Sequence, residues 1–273
     1  MTWYAYEIIL REMIAIMLFT SRVAKEIDTL FDLSQNIAEQ KFSFDQTVNL
    51  PEPVKKYFSF ALKEGQPYIY SFLSQHEGVF RMKIDKPWSP IQGEDYFTVY
   101  PPGFVWVASL KSSPLFWLSI RDCYLQNRGR SKAWAYSLVP VSSVEGPLID
   151  QGALSRWLST AVFFPTALLP SEKLTWIPID GNSAQLLFSH QGINIAAQVF
   201  FGRRGEIIRL TTNRYYDETH GFVKWSAFYK NYANHQGMEV PMEVGAMWHF
   251  ESHNFNYIRY RITKIDFNKM LRL

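Results

Sequence analysis

The sequence has one cysteine, little net charge and no long apolar run, and each shortage excludes a class of protein. Cys123 is the only cysteine among 273 residues, so no intrachain disulfide can form and no oxidising compartment is required. The net charge of +3, without a dense basic run, argues against a nucleic-acid partner. The uninterrupted apolar stretch from Met13 to Phe19 is far shorter than the roughly 20 residues that a membrane-spanning helix needs.

Sequence motifs for common enzyme chemistry are also lacking. The chain contains no G-x-S-x-G nucleophile elbow, no P-loop and no dinucleotide fingerprint, and the GRRG stretch at 202–205 has the pattern of a hairpin turn. His249, Glu251 and His253 have a spacing that would suit zinc on a helix, but this segment ends a predicted strand and enters a loop. We therefore expect no metal and no cofactor, and no residue is singled out as catalytic.

Aromatic and apolar residues are plentiful, and their order predicts strands. Phe, Tyr and Trp make up 16% of the chain and hydrophobic residues 47%, which is enough for a large core. From Tyr68 onward, apolar and polar residues alternate in short runs separated by turns, which is typical of antiparallel pairing. About a dozen such strands in one sheet must curl. The sequence therefore predicts an α+β fold with a large curved antiparallel sheet, an unclosed barrel, that carries a covering central helix and N-terminal helices.

Residues 1–47 are predicted to be an N-terminal amphipathic helical segment, followed by a single curved-sheet domain over 48–273. The apolar residues on one side of the helix are Ile9, Met13, Ile16, Val23, Ile27 and Phe31. This side either docks on the protein's own sheet or contacts a membrane surface or a partner through residues 1–34. Because no basic segment and no small-residue cleavage site flank the apolar stretch, we expect a cytoplasmic protein, peripheral to the membrane if residues 1–34 bind it.

Two further helices are predicted from apolar residues at helical spacing. The apolar face of the first consists of Val54, Tyr57, Phe58 and Ala61. The second is a central helix over 152–164 that ends where Phe164 precedes Pro165. Because it lies between two sets of strands, we expect it to cross the concave face of the sheet, with Trp157, Ala161 and Phe164 pointing inward.

Several stretches carry a family resemblance: LPEPVKKYFSFAL at 50–62, PPGFVWVA at 101–108, IRDCY at 120–124, LSRWLSTAVFFPTALLPS at 154–171, GMEVP at 237–241 and YIRYRITKIDF at 257–267. Over roughly residues 48–267 the chain resembles a family of uncharacterised bacterial proteins, a domain of unknown function. More distantly, the strand-rich layout is similar to the periplasmic lipoprotein carriers, which are unclosed β-barrels whose helices cover an apolar cavity. The family resemblance implies no established activity, and the carrier resemblance implies a cavity of this kind.

The chain departs from the family's pattern in two places. Members often carry a Glu and a Trp in the central helix where this chain has Thr160 and Phe163. They also often have a longer apolar N-terminus, where this chain has the interrupted helix described above. If that Glu is catalytic in the family, this chain lacks it, and if the longer N-terminus anchors the family at a membrane, this chain is expected to be soluble.

Seven residues are candidates for contact with a ligand in the predicted cavity. Arg121 and Asp122 are neighbours in a predicted strand, so their side chains point to opposite faces and one of them faces the cavity or the core. A charge there either pairs with another strand or anchors the head group of a ligand. The aromatic candidates either pack as core or line the pocket, and they are Trp106, Trp157, Phe163, Phe164 and Trp225.

Two functions stay open at this point. The first is non-enzymatic binding or carrying of an apolar ligand, a lipid or acyl chain, in a helix-covered half-barrel cavity. The second is a hydrolase-type enzyme that uses polar groups in the same cavity. A smooth aromatic and aliphatic lining favours the binder, whereas converging ionisable side chains favour the enzyme. The expected partner is a hydrophobic small molecule or lipid and not a nucleic acid.

Overall fold

The alternation of apolar residues from Tyr68 onward produces one large antiparallel sheet. A computed structural model of the protein describes residues 2–113 and 116–271, and thirteen strands in this range form a single sheet. The strands are β1 (Ser71–Phe80), β2 (Ser89–Thr98), β3 (Gly103–Ser113), β4 (Phe116–Leu125), β5 (Arg128–Ala135), β6 (Val139–Glu145), β7 (Leu174–Asp180), β8 (Ser183–His190), β9 (Ile193–Phe201), β10 (Ile207–Asp217), β11 (Gly221–His235), β12 (Met238–His249) and β13 (Asn254–Phe267). The predicted large antiparallel sheet is therefore confirmed.

Three α-helices accompany the sheet in the described chain: α1 (Thr2–Asp32), α2 (Glu52–Ala61) and α3 (Pro147–Thr160). The strand order is β6-β5-β4-β3-β2-β1-β13-β12-β11-β10-β9-β8-β7. The chain thus starts at the centre of the sheet, runs outward to β6, crosses through α3 to the other edge, and returns from β7 to β13 beside β1. Within the described structure β6 and β7 each pair on one side only, so the sheet is not closed into a barrel.

Helix α3 covers the concave face of the sheet and contacts both of its halves. It packs against β3–β6 on one side and against β9 and β10 on the other. The Trp157 ring stacks on the Phe188 ring of β8 with centroids 5.3 Å apart, and its Nε1 donates to the Thr98 carbonyl oxygen of β2 at 2.8 Å. The central helix therefore buries the apolar inside of the curved sheet, as predicted, and forms the main core with it.

The bounds of α3 differ from the predicted range of 152–164. The helix begins at Pro147 because proline fits the first helical turn, where its missing N–H group needs no partner. The α-helix ends at Thr160 and continues for one 3₁₀ turn. Phe164 then leaves helical geometry, with φ −127°, immediately before Pro165, which is the break that the sequence predicts.

Helix α1 packs on the opposite, convex face of the sheet. Its buried side chains form a second apolar cluster with β1–β4 that is separate from the main core, and those side chains are Val23, Ile27, Leu30 and Phe31. Ile16, predicted on the same side, is 48% exposed, and the earlier side chains lie outside the described ones. In the described range, no helix has the length and apolar character needed to cross a membrane.

Helix α2 has the predicted apolar face. Its side chains Val54, Tyr57, Phe58 and Ala61 are all buried in the main core. The helix contacts β8 and β12, so it adds a second cover on the half of the sheet that the C-terminal strands form.

Candidate functional site

A cavity of about 300 Å³ lies between the concave face of the sheet and the C-terminal part of α3. Arg156, Ser159, Thr160 and Phe163 contribute from the helix and the 3₁₀ turn that follows it. The strands that line the cavity come from both halves of the sheet, and their aromatic residues include Trp106, Trp225, Tyr229, Tyr257 and Tyr260. The cavity is therefore at the place where the two halves of the sheet and the central helix meet.

Small side chains at the centre of the sheet provide the room for this cavity. Ala227 of β11 and Ala246 of β12 are paired directly across the two strands, and both line the cavity. Side chains two residues apart on a strand point to the same face. Trp225 and Tyr229 therefore stand on either side of Ala227, and the alternation of large and small residues makes a floor with aromatic walls.

An ion pair ties the helix to the sheet at one side of the cavity. Arg156 Nη1 of α3 donates to Asp122 Oδ2 of β4 at 2.9 Å, with side chains that are 22% and 26% exposed. The Arg156 guanidinium also lies 4.4 Å from the Trp106 ring centroid and 5.4 Å from that of Phe104. This pairing neutralises the carboxylate and stabilises the position of the helix.

A second guanidinium in the cavity has no carboxylate partner among the described residues. Arg214 of β10 lies 4.6 Å from the Trp225 ring centroid and 5.7 Å from that of Trp248. Its buried Nε makes no hydrogen bond within the described chain. Burial lowers the pKa of the Arg214 guanidinium below its ordinary value, and the neighbouring charge of Arg156 lowers it further, against the opposing effects of Tyr257 and Asp122. The side chain nevertheless stays charged at neutral pH, because the ordinary pKa is so high.

A buried polar network beside the cavity holds Trp106 in place. Trp106 Nε1 donates to His76 Nε2 at 3.2 Å, and His76 Nδ1 lies 3.0 Å from Asp95 Oδ2. Ser74 Oγ donates to the same carboxylate oxygen at 2.8 Å. Burial alone would raise the pKa of Asp95, but its interactions with His76 hold it below the ordinary value. Trp106 and Asp95 both contact the His76 imidazole, so the network positions Trp106 and does not present a free base.

The structure brings four of the seven predicted ligand contacts to the cavity: Trp106, Asp122, Phe163 and Trp225. Trp157 and Phe164 pack beside it in the core, where their rings lie 6.0 Å apart. Arg121 points to the convex face, and its Nε is 3.0 Å from Glu26 Oε2 of α1. Arg121 and Asp122 therefore do lie on opposite faces of the sheet. The role of all seven residues in ligand binding stays a prediction.

Arg156 and Arg214 are the two charged residues of the cavity that sequence reasoning missed. Arg156 lies four residues before Thr160, so helical spacing places the two side chains on one face. Arg214 follows Leu210 and Thr212 at strand spacing, which places it on the same face as these buried residues. Among residues 2–113 and 116–271, no three His, Cys, Asp or Glu side chains are grouped so that they could hold a metal ion.

A larger groove of about 720 Å³ lies on the convex face, across β1, β2 and β11–β13. Charged side chains line it and pair across strands, as Arg261 Nη2 does with Glu77 Oε1. Such cross-strand ion pairs are typical of the solvated face of an antiparallel sheet. The smaller aromatic cavity under α3 is therefore the candidate site.

A family model matches residues 40–260, and its description is "Family of unknown function (DUF6544)". The chain belongs to this family. The resemblance inferred from the sequence motifs is thereby confirmed, and it assigns no activity. The search of curated proteins found no match.

Solved structures that are similar to this chain include three with sequence identities of 7–10%. A putative outer membrane lipoprotein-sorting protein domain from Vibrio parahaemolyticus aligns over 74% of this chain and 87% of its own, with 9% identity and a TM-score of 0.39. A LolA superfamily protein from Nitrosomonas europaea aligns over 80% and 92%, with 10% identity and a TM-score of 0.37. A porin-like protein from Bacteroides uniformis aligns over 73% and 97%, with 7% identity and a TM-score of 0.28.

Proposed function

We propose that the protein binds an apolar ligand, a lipid or acyl chain, in the cavity under α3 and catalyses no reaction on it. The observation that carries this proposal is the cavity of about 300 Å³, lined mainly by aromatic and aliphatic side chains and covered by the central helix. Its volume is at the small end of the range of ligand pockets, ~300–1,000 Å³. Each methylene group that moves from water into such a cavity contributes about 0.8 kcal/mol, so a short chain is enough for measurable affinity.

The hydroxyl groups on the helix argue against the alternative function, a hydrolase. A nucleophilic Ser or Thr needs an adjacent base that accepts its proton. Ser159 Oγ and Thr160 Oγ1 instead donate to the Arg156 carbonyl oxygen, at 2.8 and 2.9 Å. Asp122, which could act as a base, is paired with Arg156. These contacts support a binding role for the cavity.

The proposal is tested by filling the cavity floor. Ala227→Leu adds three carbons where the ligand would lie, so we expect the affinity for dodecanol, a neutral apolar probe, to fall by about 10- to 50-fold. Isothermal titration calorimetry on the purified chain measures the change. Ala196 lies exposed on β9, two strands away from β11, and Ala196→Leu is the matched control that leaves dodecanol binding unchanged. Equal binding of dodecanol by Ala227→Leu and by the unmodified chain contradicts the proposal, and so does an unmodified chain that binds neither dodecanol nor dodecanoate.

Cellular location is part of the same proposal. The predicted cytoplasmic location and the contact of residues 1–34 with a membrane surface stay predictions, which fractionation of cells expressing the untagged chain tests. Ile16, Met17 and Leu18 of α1 are exposed apolar side chains that such a contact would use.

A further inference from the structure

The charges in the cavity do not balance. Its charged lining residues in the described chain are Asp122, Arg156 and Arg214. Asp122 forms its ion pair with Arg156 at 2.9 Å and also acts on Arg214 through its charge, so one carboxylate faces two guanidinium groups and one positive charge is left over. A charge in apolar surroundings is unfavourable unless it is paired, and a ligand with a negative group would supply the partner.

Arg214 interacts with Tyr257 through a hydrogen bond, and its Nε is left available to such a ligand. Trp225 and Trp248 contact the guanidinium through their ring faces, and stacking of this kind does not occupy the N–H groups at the guanidinium edge. The buried Nε makes no hydrogen bond to a described residue. An oxyacid group is the natural partner, because the planar fork of N–H groups matches two of its oxygens.

Tyr257 provides a second donor beside Arg214. Its hydroxyl oxygen accepts from Trp225 Nε1 at 3.1 Å and also interacts with Arg214. A tyrosine hydroxyl that accepts through its oxygen still has its own proton to donate. Both Tyr257 and Arg214 line the cavity, so their donors are directed at the same space.

We infer that the ligand is an amphiphile, with an apolar chain in the cavity and an acidic oxygen group, a carboxylate or a phosphate, held by Arg214 and Tyr257. The inference rests on the proposed function, because the chain of the amphiphile occupies the apolar cavity proposed there. It adds a binding site for the head group and excludes neutral lipids as the preferred ligand.

Three probes separate the contribution of the head group from that of the acyl chain. Isothermal titration calorimetry measures their binding to the purified protein. Dodecanoate has the chain and the charge, dodecanol has the chain alone, and acetate has the charge alone. We expect dodecanoate to bind about 10- to 100-fold more tightly than dodecanol, the range that hydrogen bonds to charged groups support. Acetate should bind far more weakly than both.

Equal affinity for dodecanoate and dodecanol overturns the inference and leaves the proposed function standing. Absence of binding by both probes overturns the inference and the proposed function together. If acetate binds as tightly as dodecanoate, the acyl chain contributes nothing and the inference of an amphiphilic ligand is overturned.

Single-residue variants then test whether Arg214 causes the preference for dodecanoate over dodecanol. Arg214→Met should abolish the preference for dodecanoate over dodecanol. Arg209 is the matched control, because it lies on the same strand, stacks on the Phe200 ring at 3.8 Å and has an unpaired buried Nε, but faces the other side of the sheet. Arg209→Met should keep the full preference for dodecanoate.

Two milder variants keep the test decisive if Arg214→Met does not fold. Arg214→Lys retains the charge but loses the planar fork, and Tyr257→Phe removes one hydroxyl. Each should lower the ratio of dodecanoate to dodecanol affinity several-fold while thermal unfolding shows a folded protein. A ratio that is unchanged in both variants, or lowered equally by Arg209→Met, overturns the assignment.

Discussion

At the scale of single residues, the two faces of β4 give neighbouring side chains different environments. Cys123 is 1% exposed on the convex face under α1, and its Sγ accepts from Arg121 Nη1 at 3.0 Å. Burial raises the pKa of the Cys123 thiol to about 11, against the opposing effect of the Arg121 charge. Since the thiolate is the reactive form, this environment protects the thiol.

We predict that Cys123 reacts slowly with thiol reagents in the folded protein. A rise in pKa from 9.0 to about 11 leaves a roughly 100-fold smaller thiolate fraction at neutral pH, and burial limits access further. The rate of labelling by a maleimide, followed by mass spectrometry, measures this. Because the folded pKa is raised, the contribution of the neutral thiol to stability is fully present below pH 9.0 and is lost as the pH rises through about 11.

An exposed cysteine provides the control for this measurement. Ser252 lies exposed after β12, so Ser252→Cys combined with Cys123→Ser should be labelled at the rate of a free thiol. Labelling of the unmodified folded chain at that same rate would show that Cys123 is accessible and that the cluster under α1 is not packed as described.

At the scale of one element, α3 has a packed part and a part that covers the cavity. Trp157 belongs to the packed part, where it is 2% exposed and does not line the cavity. Phe163 lines the cavity beyond the end of the α-helix. Arg156 lines the cavity one residue before Trp157, so different faces of the helix hold the core and cover the cavity.

We predict that Trp157→Ala lowers the free energy of unfolding by about 3–5 kcal/mol, as expected when a buried aromatic side chain leaves a cavity in solid core. The loss of the hydrogen bond from Trp157 Nε1 to Thr98 adds to the effect. Urea unfolding followed by circular dichroism measures it. On the same helix, Leu148 is 43% exposed, and Leu148→Ala should change the stability by less than about 0.5 kcal/mol. Equal, small effects of both variants would show that α3 does not cover the core.

At the scale of the whole molecule, two connections join the halves of the sheet. β1 pairs with β13 at the centre, in a register that includes Phe72 opposite Phe267. Helix α3 contacts strands of both halves on the concave face. Because the main core runs through both halves without a break, neither half buries its apolar face alone.

We predict that residues 48–273 unfold as one cooperative unit. Hydrogen exchange measured by mass spectrometry should give the same free energy of opening for amides in β3 and β4 as for those in β9 and β10. Helix α1 belongs to the separate convex cluster, so its amides should open at lower free energy and serve as the internal comparison. Two different opening free energies for the two halves would contradict the prediction of a single domain over 48–273.

The sequence by itself determined the elements and the local directions of side chains. Alternation predicts the strands, and the proline after Phe164 predicts the end of the central helix, because both depend on neighbours along the chain. The same period of two places Arg121 and Asp122 on opposite faces. Motifs between 48 and 267 also predicted the family, which the match over 40–260 confirms.

Only the tertiary structure decided which face is concave and which residues meet there. Asp122 and Arg214 line one cavity although they come from opposite halves of the sheet, and the pairing of Ala227 with Ala246 creates its room. Alternation defines two faces for each strand but does not say which of them curls inward. That choice depends on the twist and register summed over thirteen strands and on the helix that crosses them, which are properties of long-range contacts and not of any local stretch.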